Sequence, residues 1–341
     1  MNLWTPLTIK GLSVKNRVVL PPMCMYSVFD KDGYLTPWHI THYVSRAVGG
    51  CGLIIIEMTA IDPDGRITDL DLGLWEDGQI QQLKQLVDQC HAVGTKVAIQ
   101  IAHAGRKAQD ATNMIAPSAI PFDENYATPR EMDAADISRV ISQFQSAAKR
   151  AVAAGVDAIE VHAAHGYLIH QFQSAYSNKR RDKYGKDLSL FGTEVITAMK
   201  AVIPESMPLI TRISAVEYVK DGYDLEHSLT LAKAYKAAGT DIFHVSSGGD
   251  GAIDGIGKAA FQEGYQIPYA QKYKEELNIP VIGVGKIRDP HYANQVIHDQ
   301  SSDLVAIGRG MLHDPYWTLH AGESLGKLNK REIPKQYRAG F

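Results

Sequence analysis

The stretch VHAAHGYLIHQF, residues 161 to 172, places His162 and His165 three apart and Tyr167 two further on, directly after the apolar run GVDAI. Two imidazoles and a phenol so close together offer metal ligation, proton transfer, or hydrogen bonding to an oxygen that gains negative charge. A lone histidine is most often a hydrogen-bonded structural residue, but a cluster at the end of an apolar run favours chemistry. A metal needs further ligands; Glu57, Glu160, His103 and His244 are the candidates, and Glu160 is expected to point away from His162. Barrel hydrolases of that kind usually carry a His-x-His pair at the end of the first strand, where this chain reads PPMCMY. A metal-dependent barrel hydrolase using His162 and His165 is therefore the alternative. The leading use is an oxyanion site with a tyrosine proton donor.

The elements that position these groups follow from the apolar runs. RVVLPPM (17–23), GLIIIEMT (52–59), KVAIQIAHA (96–104), VDAIEVHAA (156–164), PLITRIS (208–214), DIFHVSS (241–247), PVIGVGKI (280–287) and DLVAIGR (303–309) read as strands covered on both faces. Helical segments separate them, among them PWHITHYVSRAV, DGQIQQLKQLVDQCHAVG and DAADISRVISQFQSAAKRAVAAG, several opening after Asp or Ser and closing on Gly. Eight such units predict an α/β (β/α)8 TIM barrel, a single domain over residues 1–341. An open doubly wound sheet is disfavoured because no GxGxxG follows the first run. His162, His165 and Tyr167 then lie at the barrel mouth.

A net charge of −3 with interspersed signs gives no basic stripe for nucleic acid. No run of eighteen apolar residues suggests a membrane span, and Pro and charges stand where a secretory core would be, so a cytoplasmic protein is expected. Cys24, Cys51 and Cys90 are too few and too scattered for a disulfide framework, a structural zinc or an iron–sulfur cluster. A small-molecule partner remains.

GVGKIRD and AIGRGMLHDP are glycine-punctuated turns that lead into helices after the last two strands. Gly283, Gly285 and Gly308 with Lys286 and Arg309 suit a phosphate there. A phosphorylated cofactor across the mouth is implied, and FMN fits. Gln100 can pair with a pyrimidine edge, and Arg212 can place positive charge beside a ring nitrogen that becomes anionic on reduction.

The stretches LPPMCMYS, GRITDLDLGLW, IQIAHAGRKA, APSAI, EVHAAHGYLIHQF, RIS and AIGRGMLHDP, in this order, resemble the Old Yellow Enzyme family, closest to its bacterial branch of FMN-dependent ene-reductases. The resemblance runs from Leu3 almost to Phe341. It implies a TIM barrel with non-covalent FMN, Pro21, Pro22, Met23 and Cys24 beside the isoalloxazine, and Met58 at a position where a smaller residue is common. Gln100 and Arg212 resemble the ring ligands, Gly308 and Arg309 the phosphate clamp. His162 and His165 resemble the pair that binds the carbonyl or nitro oxygen, Tyr167 the proton donor, and Tyr26 and Lys107 further pocket residues. NADPH or NADH would donate hydride, an activated alkene would receive it, and a homo-oligomer, dimer or tetramer, is implied. A flavin-binding protein with impaired turnover is a further alternative. Two segments depart from the family. YGKDLSLFGTEV lacks the usual Asn-Arg element after strand four, which is expected to loosen that loop. In QYRAGF, Ala339 stands where a tail arginine would be and Arg338 is one residue early, which weighs against an active site shared between subunits.

Overall fold

The computed structural model describes residues 1–253, 260–330 and 333–340. Barrel strands one to eight are Val18–Leu20, Leu53–Ala60, Lys96–Ala102, Ala158–Ala163, Leu209–Ser214, Ile242–Ser246, Val281–Gly283 and Leu304–Ala306, each on one of the expected apolar runs. All pair in parallel with their sequence neighbours, and strand eight closes on strand one through Val305–Val18 and Ala306–Val19. The closed eight-strand barrel is thus the observed fold.

Alternation along each strand divides two cores. Ile159, Val161 and Ala163 face the surrounding helices, whereas Ala158 joins Val19, Leu53, Ile210 and Leu304 in a layer inside the barrel. An antiparallel hairpin, Leu7–Ile9 with Leu12–Val14, closes the base, and its Leu12 and Val14 pack into that inner layer. The helices begin where their caps dictate. Asp133, Asp224 and Asp289 accept the amides of Asp136, His227 and His291 at the starts of helices Ala134–Ala153, Leu225–Ala238 and Pro290–His298. Gly239, at φ +121°, ends the second of these.

Glu160 does not point away from His162. Two residues apart on one strand, both face the barrel interior, and Glu160 reaches His244 and Gln100 across it. Glu57 is turned elsewhere by an irregularity in strand two between Ile56 and Thr59. Its carboxylate accepts from the Tyr43 hydroxyl at 2.7 Å and the Met25 amide at 2.8 Å, so it braces the strand-one loop.

The shortened segment after strand four is packed, not loose. Asp182 caps the turn Lys183–Lys186, and the buried Tyr184 ring lies 6.0 Å from Phe172 and 6.5 Å from Phe191. Its hydroxyl donates to Glu194 at 2.8 Å. Asn178 donates to the carbonyls of Phe172 and Tyr184, bridging the segment's two ends.

Candidate active site

Strand four ends on His162 and Ala163, and the chain then turns through His165 at φ +59° and Gly166 at φ +72° before helix Leu168–Gln173 begins. A histidine in the left-handed region is uncommon. Here the turn brings three rings together: His162 lies 5.1 Å from His165 and 4.8 Å from Tyr167, centroid to centroid, both edge-on.

One nitrogen of each imidazole is already engaged. His162 Nδ1 accepts the Ala164 amide at 3.3 Å, which leaves Nε2 as the protonated nitrogen. His165 Nε2 lies 2.7 Å from Ser246 Oγ on strand six, which leaves Nδ1 open. The His165 amide donates to Ser214 Oγ, which in turn donates to the Gly248 carbonyl. Burial, and then the Arg212 charge, hold both histidines well below the usual histidine range, so both are neutral. Burial likewise pushes the Tyr167 hydroxyl well above its ordinary value, with Cys24 and Tyr26 adding to the effect. The phenol stays protonated.

Lys107 faces the same turn. Its ammonium donates to the carbonyls of His165 (3.1 Å) and Gly249 (3.2 Å) and lies 4.9 Å from the Tyr167 ring centre. Burial lowers it to about 8. Tyr26, more exposed and at φ +49°, sits beside Cys24 on the strand-one loop. Pro21 and Pro22 are buried, and Met23 and Cys24 half-buried. Burial, with Asp71 and Glu57 nearby, pushes the Cys24 thiol up, so it is a thiol and not a thiolate. Met58 is buried at the mouth end of strand two with Ala60, Ala102 and Ala104, and Cys24 and Tyr167 pack against that cluster.

Below this layer lie Gln100 and Arg212. The Gln100 amide nitrogen donates to Glu160 at 2.7 Å. Arg212 is 9% exposed; one guanidinium nitrogen reaches the Pro22 carbonyl at 3.5 Å and its Nε is buried without a partner. On the far side, a Cβ on Gly308 would stand only 3.3 Å from Met23 Sδ and 3.4 Å from Pro21 Cγ, so the strand-eight turn lies close against the strand-one loop. Gly285 has φ +144°, and Arg309 is exposed at the start of helix Arg309–His313. Lys286 is diverted from the expected phosphate corner: its ammonium donates to the Phe261 carbonyl. A cavity of about 350 Å³ lies there, lined by Ser247, Gly248, Tyr265 and Lys286 among others.

Of the four ligands considered for a metal, Glu160 and His244 meet each other and the others are engaged elsewhere. His103 accepts the Gly105 amide in its own turn, Glu57 is bound to Tyr43 and Met25, and Glu160 holds Gln100 and His244. Among the described residues the cluster with metal-ligand spacing is His170, Glu217 and Asp250, which includes neither His162 nor His165. Its Asp250 is paired with Arg106 at 2.9 Å and also accepts from Ser177. Sequence reasoning passed over Ser214, Ser246 and Asp71 and gave Glu160 and His244 only a metal role. The alternation E-V-H in strand four, and the VSSGG run ending strand six, carried the signal.

Residues 2–327 match the NADH:flavin oxidoreductase / NADH oxidase family. The chain is 44% identical to the NADPH dehydrogenase of Bacillus subtilis (strain 168) over 342 residues, covering 99% of each chain. It is 45% identical to that of Listeria innocua, covering 98% of each. Among solved structures, morphinone reductase superposes with a TM-score of 0.80 at 26% identity over 96% of this chain and 90% of that one. A 2-naphthoyl-CoA reductase gives 0.88 at 25% identity, with this chain spanning 52% of that longer one. The chain belongs to the NADH:flavin oxidoreductase / NADH oxidase family, as an FMN-dependent oxidoreductase of the Old Yellow Enzyme type.

Proposed function

We propose that this protein is an ene-reductase, which takes hydride from NADPH or NADH and reduces the C=C bond of an α,β-unsaturated carbonyl or nitro compound. The observation that carries the reading is the pairing of His162 Nε2 and His165 Nδ1, each left open by a bond at its other nitrogen, beside the protonated Tyr167. The names of the relatives favour NADPH as the donor.

The residues present suit FMN. Arg212 has a buried, unpartnered N–H beneath the mouth, Gln100 has an amide oxygen to spare, and Gly308, having no side chain, lets the strand-eight turn lie close against Met23 and Pro21. Arg212 and Gln100 would hold the ring, Pro21 to Cys24 and Met58 would border it, and Gly285, Gly308 and Arg309 would face the phosphate. When bound and reduced, FMN supplies the hydride for the β-carbon. His162 and His165 hold the substrate oxygen and stabilise the charge that reaches it. Tyr167, kept protonated by its surroundings, delivers a proton to the α-carbon. Lys107 fixes the His165 carbonyl and so the turn that aims both rings.

The purified protein is expected to be yellow, to bleach anaerobically with NADPH and to recover on addition of cyclohexenone. Each donor in such a site contributes about 2.7 to 4 kcal/mol. Replacing both His162 and His165 by Ala should therefore lower alkene reduction more than ~100-fold with FMN still bound. Undiminished turnover would remove the pair from the mechanism; bleaching without recovery would indicate a flavin protein that does not reduce alkenes.

A further inference from the structure

Glu160 is wholly buried inside the barrel, one layer below His162, and neither of its oxygens is free. Oε1 accepts from Gln100 Nε2 at 2.7 Å on strand three, and Oε2 meets His244 Nδ1 at 2.7 Å on strand six. A carboxylate only accepts hydrogen bonds, so the Gln100 amide has a single orientation, nitrogen toward Glu160 and Oε1 away from it. His244, neutral because it is buried, donates from Nδ1 and fixes the other oxygen. Strand five lies between strands four and six, and its Arg212 is in register with both His162 and His244. The carboxylate of Glu160 is the strongest opposing charge acting on that guanidinium. A buried cation is costly unless a counter-charge is near, and no carboxylate contacts Arg212 directly among the described residues.

We propose that Glu160 is a positioning residue for the bound flavin: it turns the Gln100 carbonyl toward the ring and offsets the Arg212 charge, thereby setting the flavin's electron affinity. The proposal rests on the reading that FMN lies above Gln100 and Arg212. Oxidised isoalloxazine carries one ring N–H, at N3, and an amide held with its oxygen outward is built to accept from it. The flavin gains negative charge on reduction, which Arg212 favours and Glu160 opposes. Loss of the Glu160 charge alone should make the bound flavin easier to reduce.

The wild-type holoprotein, Glu160→Gln and Glu160→Asp are compared by dye-equilibrated reduction, with circular dichroism to check the fold. The potential of E160Q should be more positive than wild type, and that of E160D, which keeps the charge, should be restored toward it. An unchanged or more negative potential in folded, flavin-loaded E160Q would overturn the proposal. A second measurement needs no variant. Wild-type apoprotein should bind FMN about tenfold more tightly than N3-methyl-FMN, the loss expected for one hydrogen bond. Equal affinities would overturn the assigned orientation of Gln100 even if E160Q did not fold. Failure of wild-type protein to bind FMN at all would instead reject the placement of the cofactor.

Discussion

Asp71, in the GRITDLDLGLW stretch, is wholly buried. One of its oxygens accepts the amides of Ile67 (2.7 Å) and Thr68 (2.9 Å), while Oδ1 has no partner. Burial outweighs those two bonds and pushes the carboxyl from 3.8 to about 7. Between those values the folded protein holds a proton that the unfolded chain has released. Stability must then fall as pH rises from about 4 to about 7, the reverse of the usual salt-bridged carboxylate. Asp71→Asn keeps an acceptor for the two amides and cannot ionise. Urea midpoints measured from pH 4.5 to 7.5 (about the titration range) should decline less steeply for D71N than for wild type. Parallel curves would show that Asp71 does not titrate there. The position also bears on the site, since an ionised Asp71 raises the thiol of Cys24 and the hydroxyls of Tyr26 and Tyr167.

The loop after strand four carries its own prediction. Tyr184 fills the space beside Phe172 and Phe191, and Phe172 belongs to the helix that follows Tyr167 directly. Tyr184→Ala should cost about 3 kcal/mol, the low end for truncating a buried aromatic, and should raise the KM for alkene as the turn loses its backing. A KM unaltered despite the lost stability would separate this packing from the aim of His162 and His165. The elements themselves were legible because continuous Val and Ile runs and capped helical periods are local signals. All eight strands and the separating helices stand where those signals place them. The three short helices Leu168–Gln173, Lys183–Lys186 and Arg309–His313 were not legible, being too short for periodicity to register. The clustering of His162, His165 and Tyr167 could be read because they lie on one stretch of chain. The Ser246 contact could not, since 81 residues separate it from His165. Glu160 was misjudged through its neighbour Val161, although the same alternation places it with His162. Lys286 was assigned by its turn, but the side chain goes to the Phe261 carbonyl.

At the scale of the molecule, the barrel separates what holds it together from what it does. Its base is apolar: Leu12 and Val14 of the hairpin meet Leu53, Ile55 and Ile282, all buried, in the inner layer. The next layers toward the mouth carry Gln100, Glu160, His244 and Arg212 and then His162, His165 and Ser246, polar groups that a base of this kind excludes from water on one side only. Closure leaves each of the eight barrel strands paired on both sides, so a defect at the base meets no free barrel-strand edge through which to shift the register at the mouth. Leu12→Ala tests that separation. Leu12 is 1% exposed, and its truncation leaves a hole that the surrounding strands, paired on both sides, cannot close. The expected loss is about 2 to 5 kcal/mol, read as a lower denaturation midpoint. The visible spectrum of the bound flavin should be unchanged and the rate of its bleaching by NADPH should stay within about twofold of wild type, since Leu12 packs in the apolar layer at the base and the site lies at the mouth. A shifted flavin spectrum in folded L12A would mean that the base sets the geometry of the mouth, and that the inner layers act as one unit.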